Sequence, residues 1–165
     1  MLTHILILAF AGLMAAAAIS DAARFIIPNW LVLILLALFP VAALVSGFSW
    51  PLAGFHLLAG VLALLIGFAL FAPGWIGAGD AKLFAAAGLW LGWGALLPFL
   101  FATVLSGGVL VLGLLALRRA APLAGVPSGW LEETALAQGA PVPYGLAIAA
   151  GALWVLPQTP LFALL

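Results

Sequence analysis

Asp21 and Asp80 are the residues with chemistry to offer. Each stands at the edge of a long apolar run in a chain of 165 residues that is 68% hydrophobic and 5% charged. A carboxylate near a bilayer core is costly unless it is paired or wetted, so an acid there points to function. Two carboxylates facing one wet cavity can hydrolyse an amide without a metal, a thiol or a Ser-His-Asp triad. One takes a proton from water while the other, carrying the proton the pair shares, hydrogen-bonds the scissile carbonyl. In Gly77-Ala78-Gly79-Asp80, the glycines Gly77 and Gly79 permit backbone geometries closed to other residues and a close approach by a neighbouring segment. Asp80 is expected at or next to a helix N-cap, where backbone N–H groups point, and Asp21 towards a helix C-terminus. On those grounds Asp21 is expected to hold the shared proton at rest and Asp80 to act as the base.

The other side chains narrow the chemistry. There are no cysteines, which excludes disulfides, thiolate zinc sites and thiol catalysis. No His-Glu-x-x-His segment occurs, and His4 and His56 fall a membrane's thickness from the aspartates, as interfacial or packing residues. No metal and no cofactor is expected. A formal net charge of zero argues against nucleic acid as a partner, since that requires a basic surface. Taken singly, each aspartate could be a solvated loop residue, Asp21 beside Arg24 on one helical face and Asp80 beside Lys82. Together, in a chain with four acidic residues, they favour function.

A mean hydropathy of +1.43 places this chain in lipid. About 20 apolar residues cross the hydrocarbon core as a helix. The expected fold is an all-α polytopic membrane bundle, one domain over residues 1–165, with spans at Leu2–Ser20, Trp30–Ser46, Leu52–Ala72, Ala81–Leu97, Phe99–Leu117 and Tyr144–Leu165. Pro157 and Pro160 should bend or stop the last span, and residues 118–142 form a loop. The first run lacks a basic n-region and is read as a retained helix.

Six spans put Arg24, Lys82, Arg118 and Arg119 on one face, because they fall in the first, third and fifth connections. The positive-inside rule makes that face cytoplasmic and both termini extracytoplasmic. Asp21 and Asp80 share that face, at matching depth on helices of opposite direction. Glu132 and Glu133 share it too, in a loop where a short interfacial helix with Trp130 could attract a basic peptide.

These residues resemble the prepilin peptidase family of GxGD aspartic membrane proteases, specifically its small Flp/Tad-type (TadV/CpaA-like) members. Three elements carry the resemblance, in the family's order and from the first span to the last. They are Asp21 followed by Ile27-Pro28-Asn29, then Gly77-Ala78-Gly79-Asp80-Ala81-Lys82, then Pro143-Tyr144-Gly145 opening the last helix. The resemblance implies a multi-pass aspartic endopeptidase of the bacterial cytoplasmic membrane, with Asp21 and Asp80 as the catalytic pair. Its substrate would be a prepilin or pseudopilin precursor, cut at the cytoplasmic face between a short basic leader and a hydrophobic helix, as in type IV and Flp/Tad pilus assembly. Larger relatives add a cysteine-bearing region and an N-methyltransferase activity, which this cysteine-free chain is not expected to have.

One departure stands out. Relatives carry several basic residues after the first aspartate, whereas Arg24 is alone here among Ala22, Ala23, Phe25, Ile26 and Ile27. Among supporting residues, Pro28 should start the second helix. Lys82 either holds Asp80 or reaches lipid phosphates, and Tyr144 either lines the site or belongs to the aromatic belt. Gly88 with Gly92, and Ala147 with Gly151, read as close helix packing. A proton-coupled transporter and a non-catalytic assembly subunit remain the alternatives, and assembly as a homo-oligomer stays open.

Overall fold

The computed structural model describes residues 1–125, 134–137 and 139–162. Among them are six α-helices: α1 Leu2–Arg24, α2 Asn29–Val45, α3 Trp50–Phe71, α4 Ala78–Leu91, α5 Trp93–Leu123 and α6 Tyr144–Val155. A 3-10 turn, Leu156–Gln158, follows α6 and carries Pro157. The expected all-α membrane bundle is what forms. Trp130, Glu132 and Glu133, and with them the interfacial helix expected between α5 and α6, lie outside the described residues.

Helices α1, α3 and α5 are long and apolar enough to cross a membrane, while α2 and α6 are shorter apolar helices. Helix α4 has 14 residues, or about 21 Å of rise, less than the roughly 30 Å hydrocarbon core. It is nevertheless the centre of the bundle. From Asp80 to Leu91 its residues are buried except Lys82 and Ala85, and α2, α3, α5 and α6 all pack against it.

Small residues let α3 and α4 approach closely, the usual device where lipid gives no hydrophobic drive between helices. A Cβ added at Gly67 would stand 3.0 Å from the Ala81 Cα, one at Gly60 3.0 Å from the Leu89 Cβ, and one at Gly88 2.7 Å from the Ala63 Cβ. On the opposite side of α4, the Trp90 Nε1–H donates to the Leu35 carbonyl of α2 at 2.8 Å, and the indole stacks on Phe10 of α1 with centroids 5.0 Å apart. These contacts hold α4, and therefore Asp80, against three neighbours.

Several boundaries differ from the sequence expectation: α1 runs past Ser20 to Arg24, α4 starts at Ala78 before Ala81, and the last helix stops at Val155, well short of Leu165. The fourth span does not run to Leu97 with a link at Pro98. It stops at Gly92, whose φ of +80 and ψ of 176 break the helix, and α5 begins at once with Pro98 inside it. Gly92 is therefore a backbone break and not a helix-packing glycine; a Cβ there would sit 2.7 Å from the His56 Nε2. Helix α5 also continues past Leu117 to Leu123. Its 31 residues rise about 46 Å, so its last turns, with Arg118 and Arg119, project beyond an apolar core. Apolarity marks how long a segment stays in lipid, not where the backbone turns.

The remaining connections follow their caps. Ser49 accepts the Leu52 N–H at 3.4 Å and Pro51 lies in the first turn, so α3 starts there. Pro28 is the N-cap of α2, one residue before its first helical position. Helix α1 ends on Phe25 in the left-handed region, φ 54, with its N–H on the Asp21 carbonyl.

Candidate active site

Three helix ends meet at one end of the bundle: the last turn of α1 with Asp21, the first turn of α4 with Asp80, and the first turn of α6 with Gly145. Asp21 and Asp80 are 5% and 6% exposed. Burial that deep requires partners, and each carboxylate has a backbone one. The Gly145 N–H donates to the Asp21 Oδ2 at 2.7 Å. The Gly77 N–H donates to the Asp80 Oδ2 at 2.9 Å, a residue at the third helical position reaching back to its N-cap.

The two acids lie close enough for the charge of Asp21 to bear on Asp80, and the amides that hold them stand at the starts of α6 and α4. Asp80 Oδ1 is buried with no hydrogen-bond partner. An oxygen so placed is the one left to accept a proton or a hydrogen bond from a molecule entering the site. The alternative reading, solvated pairing of Asp21 with Arg24 and of Asp80 with Lys82, finds no ion pair among the described residues.

Lys82 turns elsewhere. Its Nζ donates to the Asn29 Oδ1 at 3.1 Å, tying the first turn of α4 to the first turn of α2 at an exposed position. From these two residues an apolar groove of about 560 Å³ runs between α2 and α3 along α4, past Val32, Gly60, Val61 and Ala86. Tyr144 is half-buried with its ring against Gly107 of α5, in a second apolar groove, while Pro143 is buried beneath the turn.

The glycines matter for space. Gly77 has φ −74, open to any residue, and Gly79 lies within α4. A Cβ at Gly77 would stand 3.0 Å from the Asp80 Oδ2, and one at Gly79 3.1 Å from the Ile27 Cβ. At Gly145 a Cβ would be 2.8 Å from the Asp21 Oδ2 and 2.9 Å from the Ile27 Cδ1. Ile27 is buried and sits between Gly79 and Gly145, so it joins all three motifs.

In the sequence Ile27 is one of two adjacent isoleucines before Pro28-Asn29, and only the structure shows that Ile27 is buried while Ile26 is exposed. The Asn29–Lys82 bond was equally unforeseen. At the other end of the bundle, His4 is exposed. His56 is buried between Phe39 and Phe48, with Nδ1 2.9 Å from the Leu89 carbonyl oxygen.

The model of the type IV leader peptidase family matches residues 8–112, a stretch that holds both aspartates and the glycine-rich turn. The chain belongs to the type IV leader peptidase family. Comparison with curated proteins and with solved structures gave no significant match. In this leader peptidase the family match ends before Pro143-Tyr144-Gly145, and it is the hydrogen bond from Gly145 to Asp21 that brings α6 into the site.

Proposed function

We propose that this membrane-embedded leader peptidase is an aspartic endopeptidase of prepilin-like precursors, with Asp21 and Asp80 as its catalytic pair. The observation that carries the reading is that two buried carboxylates, 59 positions apart in the sequence, lie at the same end of the bundle, each held by a glycine backbone amide, Gly145 for Asp21 and Gly77 for Asp80.

The chemistry follows from that arrangement. Asp80, through its unpartnered Oδ1, takes a proton from water. The hydroxide attacks the scissile carbonyl carbon while Asp21 gives its proton to the carbonyl oxygen. The tetrahedral intermediate then collapses, the C–N bond breaks, and the new amine takes the proton that Asp80 had gained. As the carbonyl re-forms, a hydroxyl of the intermediate returns its proton to Asp21, so both carboxyls regain their starting states. Water and peptide supply every atom.

Arg24, Lys82, Arg118 and Arg119 cluster at the end of the bundle that holds the aspartates, since α1 and α5 end there and α4 begins there. By the positive-inside rule that end faces the cytoplasm and both termini lie outside. The reading extends to a single membrane domain of Flp/Tad type in the bacterial cytoplasmic membrane, acting on leader-bearing pilin precursors without N-methyltransferase activity. The groove that opens beside Lys82 supports access to the site from within the bilayer.

Co-expression of a prepilin-like substrate with wild type, Asp21→Asn or Asp80→Asn tests the proposal by gel mobility. Both substitutions keep size and a backbone-facing oxygen, so the fold should survive. Each should lower processing by about 10²–10⁴-fold, the range for losing a positioned acid or base. Processing by either variant at the wild-type rate would refute the assignment.

A further inference from the structure

Building on the proposed Asp21–Asp80 pair, we infer that Gly145 is a positioning residue for it: the backbone N–H of Gly145 fixes the Asp21 carboxyl, and the missing side chain lets α1 and α6 close far enough for that bond to form. Helix α6 begins at Tyr144, so the N–H of Gly145 is one of the four amides at a helix start that have no partner within the helix. It is satisfied by a side chain 124 residues earlier in the chain.

The bond, at 2.7 Å, lies at the short end of the N–H···O range. Holding Oδ2 fixes the rotation of the carboxyl group and leaves Oδ1 to carry the mobile proton. The donor itself is held on both sides. Pro143, the buried N-cap, restricts the chain entering the turn, and Leu146 N–H bonds back to the Pro143 carbonyl at 3.2 Å.

A methyl group at 145 would disturb two things that can be separated. It would stand 2.8 Å from the Asp21 Oδ2 and 3.0 Å from the Asp21 Cβ, and also 2.9 Å from the Ile27 Cδ1. The first contact displaces the reacting group. The second is a packing conflict that a shorter side chain at 27 would remove, because valine lacks Cδ1.

The test compares full-length wild type, Gly145→Ala, Ile27→Val, the double variant and Asp21→Asn. Each is measured for thermal unfolding, for kcat and KM on a prepilin-like peptide, and for the pH dependence of kcat. Gly145→Ala should lower kcat by about 100-fold, the effect of moving a catalytic group by about 1 Å, with KM little changed and the pH profile displaced. Adding Ile27→Val should restore the unfolding temperature and leave kcat low. This double variant also carries the test if Gly145→Ala alone folds poorly.

The inference is overturned if Gly145→Ala keeps a wild-type kcat, if the double variant recovers kcat together with stability, or if the loss falls in KM alone. Asp21→Asn separates the two levels of the argument. An inactive Asp21→Asn beside a fully active Gly145→Ala removes only the role of Gly145, whereas an active Asp21→Asn removes the catalytic pair on which that role depends.

Discussion

Gly88→Ala should impair cleavage although Gly88 lies two turns from Asp80, because the α3–α4 seam sets where Asp80 stands. A methyl group at 88 would be 2.7 Å from the Ala63 Cβ and 3.3 Å from the Ala59 carbonyl oxygen. Ordinary contact begins near 3.4 Å, so the helices must part by about 0.7 Å at this level. Neither neighbour is the flexible end of a long side chain that could swing away. The relief has to come from movement of α4 as a rod, and Asp80 rides on it about 12 Å further along. Overpacking of this kind costs about 1–3 kcal/mol of stability. A shift approaching 1 Å at a catalytic group costs up to about 100-fold in rate, so a loss of about 10- to 100-fold is expected. Ala63→Gly removes the opposing Cβ at the cost of about 0.5–1 kcal/mol for a glycine within a helix. Combined, the two substitutions should recover most of the rate, with a coupling of about 1–2 kcal/mol in a double-mutant cycle. Rates come from processing of a prepilin-like substrate by purified enzyme, and stabilities from unfolding in detergent. A Gly88→Ala enzyme with wild-type rate and stability, or a double variant no better than the single one, would refute the argument that this seam positions Asp80.

Gly92→Ala should destabilise the protein with two additive origins. Its φ of +80 with ψ 176 belongs to a region used essentially by glycine, worth about 1–3 kcal/mol of strain, and the new Cβ would lie 2.6 Å from the His56 Cε1. His56→Ala in the same background should remove the overlap and leave the strain, so complete recovery of the unfolding temperature would contradict the backbone argument. Lys82→Ala should cost at most about 1 kcal/mol and leave processing near wild type, because the ammonium bonds Asn29 at an exposed position. Loss of processing as deep as that of Asp80→Asn would place Lys82 in the chemistry instead.

The sequence was most legible where a physical constraint is written in a few adjacent residues. A run of apolar residues reports lipid, so the bundle could be read directly, and the two lone acids at the edges of such runs lie together at one end of it. Pro28 marks the start of the second helix for a local reason and stands immediately before its first helical residue. What could not be read is contact across the bundle. Gly92 looked like half of a packing motif with Gly88, and only the backbone itself shows one packing against Ala63 and the other breaking the chain. Pro98 looked like a terminus and is carried inside α5, since a proline one turn into a helix removes a single hydrogen bond. Of the two reasons the sequence offers for the glycines around Asp80, unusual dihedral angles and close approach, the second holds: Asp80 and Ile27 occupy the space a Cβ would need.

Ile27 explains why three motifs so far apart in sequence form a single site. Carboxylates that act on one substrate must be held to within about half an ångström, and side chains on separate helices reach that precision only if the helix ends are wedged together. Hydrogen bonds supply part of the restraint, from Gly145 to Asp21 and from Gly77 to Asp80. The rest is apolar packing by one branched side chain inserted between Gly79 and Gly145. A basic residue at position 27 could not be buried there unpaired, which bears on why this connection carries Arg24 at its start and apolar residues beyond it. The polar requirement of the chemistry and the apolar requirement of its support therefore meet within seven residues, Asp21 to Ile27. Removing the wedge altogether, as in Ile27→Ala, should loosen both acids together, whereas trimming one methyl in Ile27→Val keeps most of its packing and a change at either acid leaves the wedge in place.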